Sequence, residues 1–392
     1  MPRRKRYTER GFSENNNVQL VRGGTEYFTL LEQLIDKALT SIHLQTYIFD
    51  ADETGNRIID ALIKAASRGV QVFLLIDGYA SKNFPEEQIE RLKKEGVHFR
   101  WFEPLFRSTD FYFGRRLHHK VIVIDARYSL VGGINISNKY NDMPDHPAWL
   151  DWGLYSEGEV SVELSTICVE MFDKSNWSRK KKKIAEPPKE VFSFPEKCKV
   201  RILRNDWVRH YHEISRSYNN LFATAKSDIL IMCSYFLPGP QFCRSLERAA
   251  KRGVKVKVVI AGASDVKVAK YAERHMYRWY FRNKIEIYEY QKNILHAKIT
   301  VADDNWVTIG SYNVNNISAY ASIELNLEVK NEILAKEVKI HFDNIVKNDC
   351  IKITEENFKP ENIFKKIFHR TAYEVVRAMF YLSTFYFRQR KT

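Results

Sequence analysis

The stretch AASRGVQVFLLIDG, residues 65–78, decides the fold, because AAKRGVKVKVVIAG at 249–262 answers it almost letter for letter. In each copy a helix end runs into a glycine stop and then into a buried strand. Gly69 and Gly253 hold equivalent places, 184 positions apart. Upstream, SIHLQTYIF at 41–49 reads as a buried strand, and DILIMCSYFL at 228–237 takes its place in the second copy. Downstream, LHHKVIVIDARYSLVGGINIS at 117–137 is matched by LHAKITVADDNWVTIGSYNVN at 295–315, 178 positions on. The chain is two copies of one plan that differ in loop length. Short βα connections imply right-handed crossovers and parallel pairing. The expected class is therefore α/β: two pseudo-two-fold-related repeats, each a mainly parallel sheet flanked by helices, with an active site at their interface.

A chain of 392 residues has room for two domains of ordinary size. Hydrophobic residues at 44% and aromatic residues at 13% exclude a disordered chain. The net charge of +14 favours polyanionic partners, whether nucleic acid, anionic lipid headgroups or phosphorylated substrates. The five cysteines are odd in number and lack CxxC spacing, so they read as reduced, cytosolic thiols. The N-terminal MPRRKRYTER is not followed by an apolar segment and does not read as a signal peptide. No run of about 18 to 20 apolar residues predicts a transmembrane helix. The expected divisions are a basic arm over 1–17, a first domain over 18–177, a linker over 178–197, a second domain over 198–350 and a basic, aromatic tail over 351–392. The linker's basic run, Arg179 to Lys183, reads as solvated or as contacting an anionic surface.

Side chains alternate faces along a strand, so His118 and Lys120 point one way and His119 the other. The second copy keeps His296 and Lys298 but has Ala297 in the place of His119, which reads His119 as structural or surface-bound. Asp125 and Asp303 close the strands, and after six residues come Gly132, Gly133 and Asn135, or Gly310, Ser311 and Asn313. The pattern HxKxxxxD, six residues, G[GS]xN thus stands twice intact. One HxK alone is weak evidence; two copies with identical spacing are not. A pair of histidines suits in-line displacement at a phosphodiester. A neutral imidazole attacks phosphorus while a protonated one opposite donates to the departing alkoxide. Lys120 and Lys298 would supply positive charge to the nonbridging oxygens, and Asn135 and Asn313 hydrogen bonds. That chemistry needs no cofactor and no metal. Asp125 and Asp303 are expected to orient the imidazoles, with a turn role, bonding backbone amides, as the alternative.

The twin motifs resemble the phospholipase D superfamily, and the fit to bacterial cardiolipin synthases is closer and covers nearly the whole chain. VRGGTEYFTLLEQLIDKA at 21–38, residues 44–78, and SIELNLEV at 322–329 are similar to that subgroup, as is WLDWGLYSEGEVSVEL at 149–164 with Trp149, Asp151 and Gly158. The resemblance implies a phosphatidyl-histidine made from phosphatidylglycerol and ping-pong transfer to the hydroxyl of a second phospholipid, with His118 as nucleophile and His296 as acid, then base. It implies anionic phospholipid and a membrane surface as partners and a cytoplasmic location, peripheral to the bacterial inner membrane. Nucleic acid is disfavoured by the lack of a DNA-binding motif. Many cardiolipin synthases begin with two transmembrane helices; this chain starts almost at the repeat and resembles the shorter, peripheral form. A hydrolytic phospholipase D and a nuclease or phosphodiesterase acting on nucleic acid are the alternatives.

In the tail, Phe364, Ile367, Phe368, Ala372, Val375, Met379, Leu382 and Tyr386 form one helical stripe, with Lys366, Arg370, Arg377 and Arg388 roughly opposite. It reads either as an amphipathic helix at a membrane interface or as a helix packed on the core.

Overall fold

The computed structural model describes residues 11–103, 115–173, 192–207, 209, 211–264, 266–315, 318, 322–358 and 363–388. The first repeat begins β1 (Asn16–Arg22), α1 (Thr25–Lys37), β2 (Ser41–Thr46), α2 (Glu53–Ser67), β3 (Gln71–Asp77), α3 (Glu86–Lys94) and β4 (His98–Phe102). It continues with β5 (Arg116–Leu117), β6 (Lys120–Ile124), β7 (Tyr128–Gly132), β8 (Trp152–Gly158) and α4 (Glu159–Phe172). The second begins β9 (Lys199–Asp206), β10 (Tyr211–His212), α5 (Glu213–Thr224), β11 (Asp228–Cys233), α6 (Pro240–Lys251), β12 (Lys255–Ala261) and α7 (Lys267–Arg282). Then follow β13 (Glu286–Tyr290), β14 (Lys298–Ala302), β15 (Trp306–Gly310), β16 (Ser322–Lys330), α8 (Glu332–Asp349), β17 (Cys350–Ile353) and α9 (Ile363–Arg388).

The two sheets have one topology. The first runs β1-β8-β7-β6-β2-β3-β4, and the second repeats that order as β9-β16-β15-β14-β11-β12-β13, with β10 and β17 added at its ends. The α/β class and the twofold repeat hold, but the mainly parallel pairing expected does not. Along the two matching strand orders, β2-β3-β4 and β11-β12-β13 are parallel, and each motif strand, β6 or β14, enters antiparallel to its neighbours. The reason is local: parallel pairing follows the helical crossovers, whereas β6 to β7 and β14 to β15 are joined by tight turns that can only make antiparallel neighbours. Gly69 and Gly253 end their helices with the same φ of 90°, the left-handed conformation glycine adopts without strain. The apolar runs of β6 and β14 are buried throughout, as interior strands require.

Helices α1 to α3 cover the outer face of the first sheet, and α5 to α7 that of the second. The inner faces meet in one shared core, where Val121, Val131 and Leu154 join Ile299, Val307 and Leu327, with α4 and α8 alongside. A buried ion cluster adds a second tie. Arg115 donates to Glu103 at 2.7 Å and, through two nitrogens, to Asp206 of the second repeat at 2.6 and 3.2 Å.

The described end of the basic arm is not detached. Ser13 bridges to Val200 and Phe12 receives the Arg201 guanidinium at 4.6 Å. The linker's basic run lies outside the described residues. The tail starts as strand β17, antiparallel to β13, and continues as α9 packed on α7, where Tyr271 meets Phe368 and His275 meets Tyr373 at ring distances of 4.9 Å. The side chains of Met379, Leu382, Tyr386 and Arg388 lie outside the described residues. Among the described residues, no helix is long and apolar enough to cross a membrane.

Replacing Arg115 with alanine removes the buried cation shared by Glu103 and Asp206 and is expected to cost about 3–5 kcal/mol. Denaturant unfolding checks this; an unchanged midpoint would contradict the tie between the halves.

Candidate active site

The site is built by an exchange between the halves. The residues just ahead of each motif strand leave their own sheet and pair with the other: Arg116 and Leu117 lie parallel to Ser322 and Ile323, and Leu295 bridges to Leu150. The backbone of each motif histidine is fixed there, His118 N donating to Ile323 O at 3.0 Å and His296 N to Leu150 O at 2.8 Å. The next residue on each receiving strand is acidic, and it holds the visiting imidazole. His118 Nδ1 lies 3.0 Å from Glu324 Oε2, and His296 Nδ1 lies 2.6 Å from Asp151 Oδ2. Asp151 and Glu324 are register equivalents: Gly132 pairs with Gly153 and Gly310 with Asn326, and each acid lies two residues earlier. With Nδ1 occupied, Nε2 of each ring is the nitrogen left for chemistry. The His118 side chain keeps 18% exposure while Glu324 has none, so the ring can be reached and its carboxylate cannot.

The glycines now have a physical reason. A Cβ at Gly132 would stand 2.5 Å from Trp152 O, and one at Gly310 2.3 Å from Leu325 O, so a neighbouring backbone excludes any side chain. At the next position the halves differ. A Cβ at Gly133 would stand 2.4 Å from the Asp151 carboxylate, whereas Ser311 donates its hydroxyl to the longer Glu324.

Both lysines are buried and turned into the site. Lys120 donates to His118 O and lies 5.2 Å from the centre of the Tyr47 ring; Lys298 donates to Ser234 Oγ at 2.9 Å and to His296 O. Asn135 accepts from Ile48 N at 3.1 Å and donates to the Tyr140 hydroxyl at 2.8 Å, and Asn313 accepts from Ser234 at 2.8 Å. His119 is buried on the opposite face, 2.8 Å from Gln45 Oε1, as a structural histidine.

Asp125 and Asp303 do not orient the imidazoles. They sit at the far ends of β6 and β14, in turns at φ 53° and 50°, where Asp125 accepts from the amides of Leu39, Thr40 and Ser41, and Asp303 from those of Lys226 and Ser227. Strand length forbids the expected role, because the residues between carry each aspartate to the opposite edge of its sheet. Sequence reasoning had Asp151 and the segment containing Glu324 in view but gave neither the orienting role, and it missed three further groups. Tyr47 packs its ring 4.8 Å from His118, and the Tyr140 hydroxyl lies 3.4 Å from His296 Nε2. Asp77 accepts from Leu117 N at 2.9 Å, steadying the approach to His118. The signal available for the acids was the register of WLDWG against SIELN.

The two imidazoles are not electrostatically alike. Burial holds His118 below the ordinary imidazole range, with Lys120 and Lys298 adding to the effect and Glu324 opposing it. Burial pushes Asp151 up to about 7 against the pull of Lys298, so the carboxylate beside His296 is a stronger base than an ordinary aspartate. Lys120 is pushed down to about 7 by burial, with Lys298 adding and Glu324 opposing. Its charge is therefore responsive rather than fixed, and an entering phosphate anion would restore it. An NMR titration should place His118 below the reference imidazole value of about 6.5; a value above that would contradict the burial argument.

Known proteins resemble this chain over most of its length. The family model described as "Cardiolipin synthase, PLD-like domain" matches residues 31–145 and 218–346, one motif in each span. Cardiolipin synthase B of Salmonella typhimurium is 31% identical over 349 residues, covering 88% of this chain and 84% of its own. The protein of that name from Escherichia coli strain K12 is 30% identical, with coverage of 87% and 83%. Cardiolipin synthase of Clostridium perfringens strain 13 is 26% identical, with coverage of 91% and 75%. Among solved structures, phosphatidylserine synthase of Haemophilus influenzae superposes with a TM-score of 0.73 at 16% identity, covering 93% of this chain and 96% of that one. The polyphosphate kinase of Porphyromonas gingivalis shares the fold with a TM-score of 0.57 at 14% identity, covering 93% of this chain and 56% of its own. The chain belongs to the cardiolipin synthase family of phospholipase D-like proteins.

Proposed function

We propose that the chain is a phosphatidyltransferase that carries a phosphatidyl group from phosphatidylglycerol to the hydroxyl of a second phospholipid, at the anionic cytoplasmic face of a bacterial inner membrane. The observation that supports this best is the reciprocal hold on the imidazoles: each Nδ1 is bound by the other half's carboxylate, which commits the chemistry of both rings to Nε2. Glu324 keeps the proton of His118 on Nδ1, so Nε2 carries a lone pair, and the depressed basicity of that ring keeps it neutral.

In the first step His118 Nε2 forms a bond to phosphorus as the bond from phosphorus to the glycerol oxygen breaks. His296, charged beside Asp151, gives its proton to that oxygen, and glycerol leaves. In the second step the now neutral His296 takes the proton of the acceptor's hydroxyl. The acceptor oxygen bonds to phosphorus, the bond to His118 breaks, and both rings return to their starting states. Lys120 and Lys298 stabilise the charge on the nonbridging oxygens, where low dielectric makes them effective. With phosphatidylglycerol as both donor and acceptor, the product is cardiolipin.

The test is lipid product analysis with phosphatidylglycerol vesicles. Cardiolipin from the unaltered protein, with His296→Ala slower by roughly 10²–10⁴-fold, is the expected result. Phosphatidic acid as the main product would make the chain a hydrolase, and release of nucleotides from nucleic acid without lipid turnover would move it to another substrate class. The pH profile gives a separate check. Because His118 must be neutral to attack and its basicity is depressed, the acidic limb of kcat/KM is expected below about 6.5. Glu324 raises the basicity of His118, so Glu324→Gln should move that limb further toward acid while lowering the rate; movement toward alkali would contradict the assignment.

A further inference from the structure

Helices α7 and α9 lie side by side and run the same way. Tyr271 meets Phe368 and His369, and one turn on, His275 meets Tyr373. The inward side of α9 is His369, Ala372, Tyr373 and Val376, which are buried or half-buried. Its outward side carries Phe364 at 76% exposure, Ile367 at 57% and Phe368 at 54%. One turn before the contact with Phe368, α7 presents Val268, and ahead of it Val266, at 45% and 46% exposure. The first turns of both helices therefore form one open apolar surface. Exposed Lys267, Lys365, Lys366 and Arg370 surround it, and Glu374, further along α9, is paired with Arg377.

This surface is held at a defined end of the molecule. Helix α7 leaves the C-terminal end of β12, and the buried Lys270 in its first turns donates to Ala261 O at 2.5 Å and to Glu289 at 2.8 Å, pinning it to the ends of β12 and β13. The adjacent strand β11 ends at Cys233, opposite Lys298. The apolar surface thus lies at the end of the second sheet where His296 and Lys298 open.

We propose that the first turns of α7 and α9 are a docking surface for an anionic phospholipid bilayer. The apolar side chains enter at headgroup depth, and the lysines and Arg370 meet lipid phosphates. A wedge of valine, isoleucine and phenylalanine ringed by cations fits that occupant better than a second copy of this chain, whose matching surface would bring the same positive charges together. The role as a docking surface stands on the patch itself; only the benefit of facing the active-site end to the membrane rests on the reading of function given above.

The variant Val268→Ser/Phe364→Ser/Ile367→Ser changes exposed side chains and is expected to keep its melting temperature. In co-sedimentation with vesicles of mixed phosphatidylglycerol and phosphatidylcholine, the unaltered protein should bind, more weakly at high salt, and the variant should bind at least about tenfold less. Both proteins should turn over short-chain phosphatidylglycerol dispersed as monomers at equal rates. Equal vesicle binding by both would overturn the proposal, as would a loss of self-association in the variant without a change in vesicle binding. Absence of lipid turnover by either protein, with the binding difference intact, would overturn the proposed function and support the docking surface.

Discussion

Each half of this molecule lends the other a carboxylate. The segment before each motif strand crosses to the other sheet, and the acid at that sheet's edge closes on the visiting imidazole: Glu324 on His118, Asp151 on His296. Neither half holds an oriented histidine without its partner. The other ties between the halves serve this exchange, because a shift at the interface would misalign both rings together. The shared inner core fixes the separation of the sheets, and the buried Arg115–Asp206 pair holds the edge beside His118.

From nearly the same motif, the surroundings make two different groups. His118 stands near Lys120 and Lys298, and burial among those charges favours its neutral form. His296 is in short contact with a carboxylate that burial has made more basic. Environment rather than residue type sets the two histidines apart. Overall fold alone does not fix the chemistry, since a polyphosphate kinase shares it. The family and the site together support lipid transfer.

Much of this was legible from repetition. Two copies of helix, glycine and strand announced the twofold plan, and the alternation of a strand separated His118 and Lys120 from His119. What escaped the reading depended on contacts across the halves. Asp125 and Asp303 lie in the motif, yet a strand of that length carries them to the wrong edge, where they bind turn amides. The acids that do hold the rings are far from them in sequence, 145 positions for His296 and 206 for His118. Only the register of β8 and β16 reveals that they are equivalent. The mixed pairing of the sheets escaped for a similar reason, since the repeats show strand order along the chain and not the direction in which β6 and β14 enter their sheets. The helix of the tail divides its surface, with one side packed on α7 and the apolar side next to it left open.

The central claim is that His118 carries the phosphatidyl group and His296 moves the protons. It is tested most directly by mass spectrometry of His296→Asn after incubation with phosphatidyl-p-nitrophenol, whose leaving group departs without needing a proton. The account predicts that this variant forms the adduct and cannot pass it on, so a peptide containing His118 gains the mass of a phosphatidyl group. An adduct on another residue, or none while p-nitrophenol is released at the unaltered protein's rate, would contradict it.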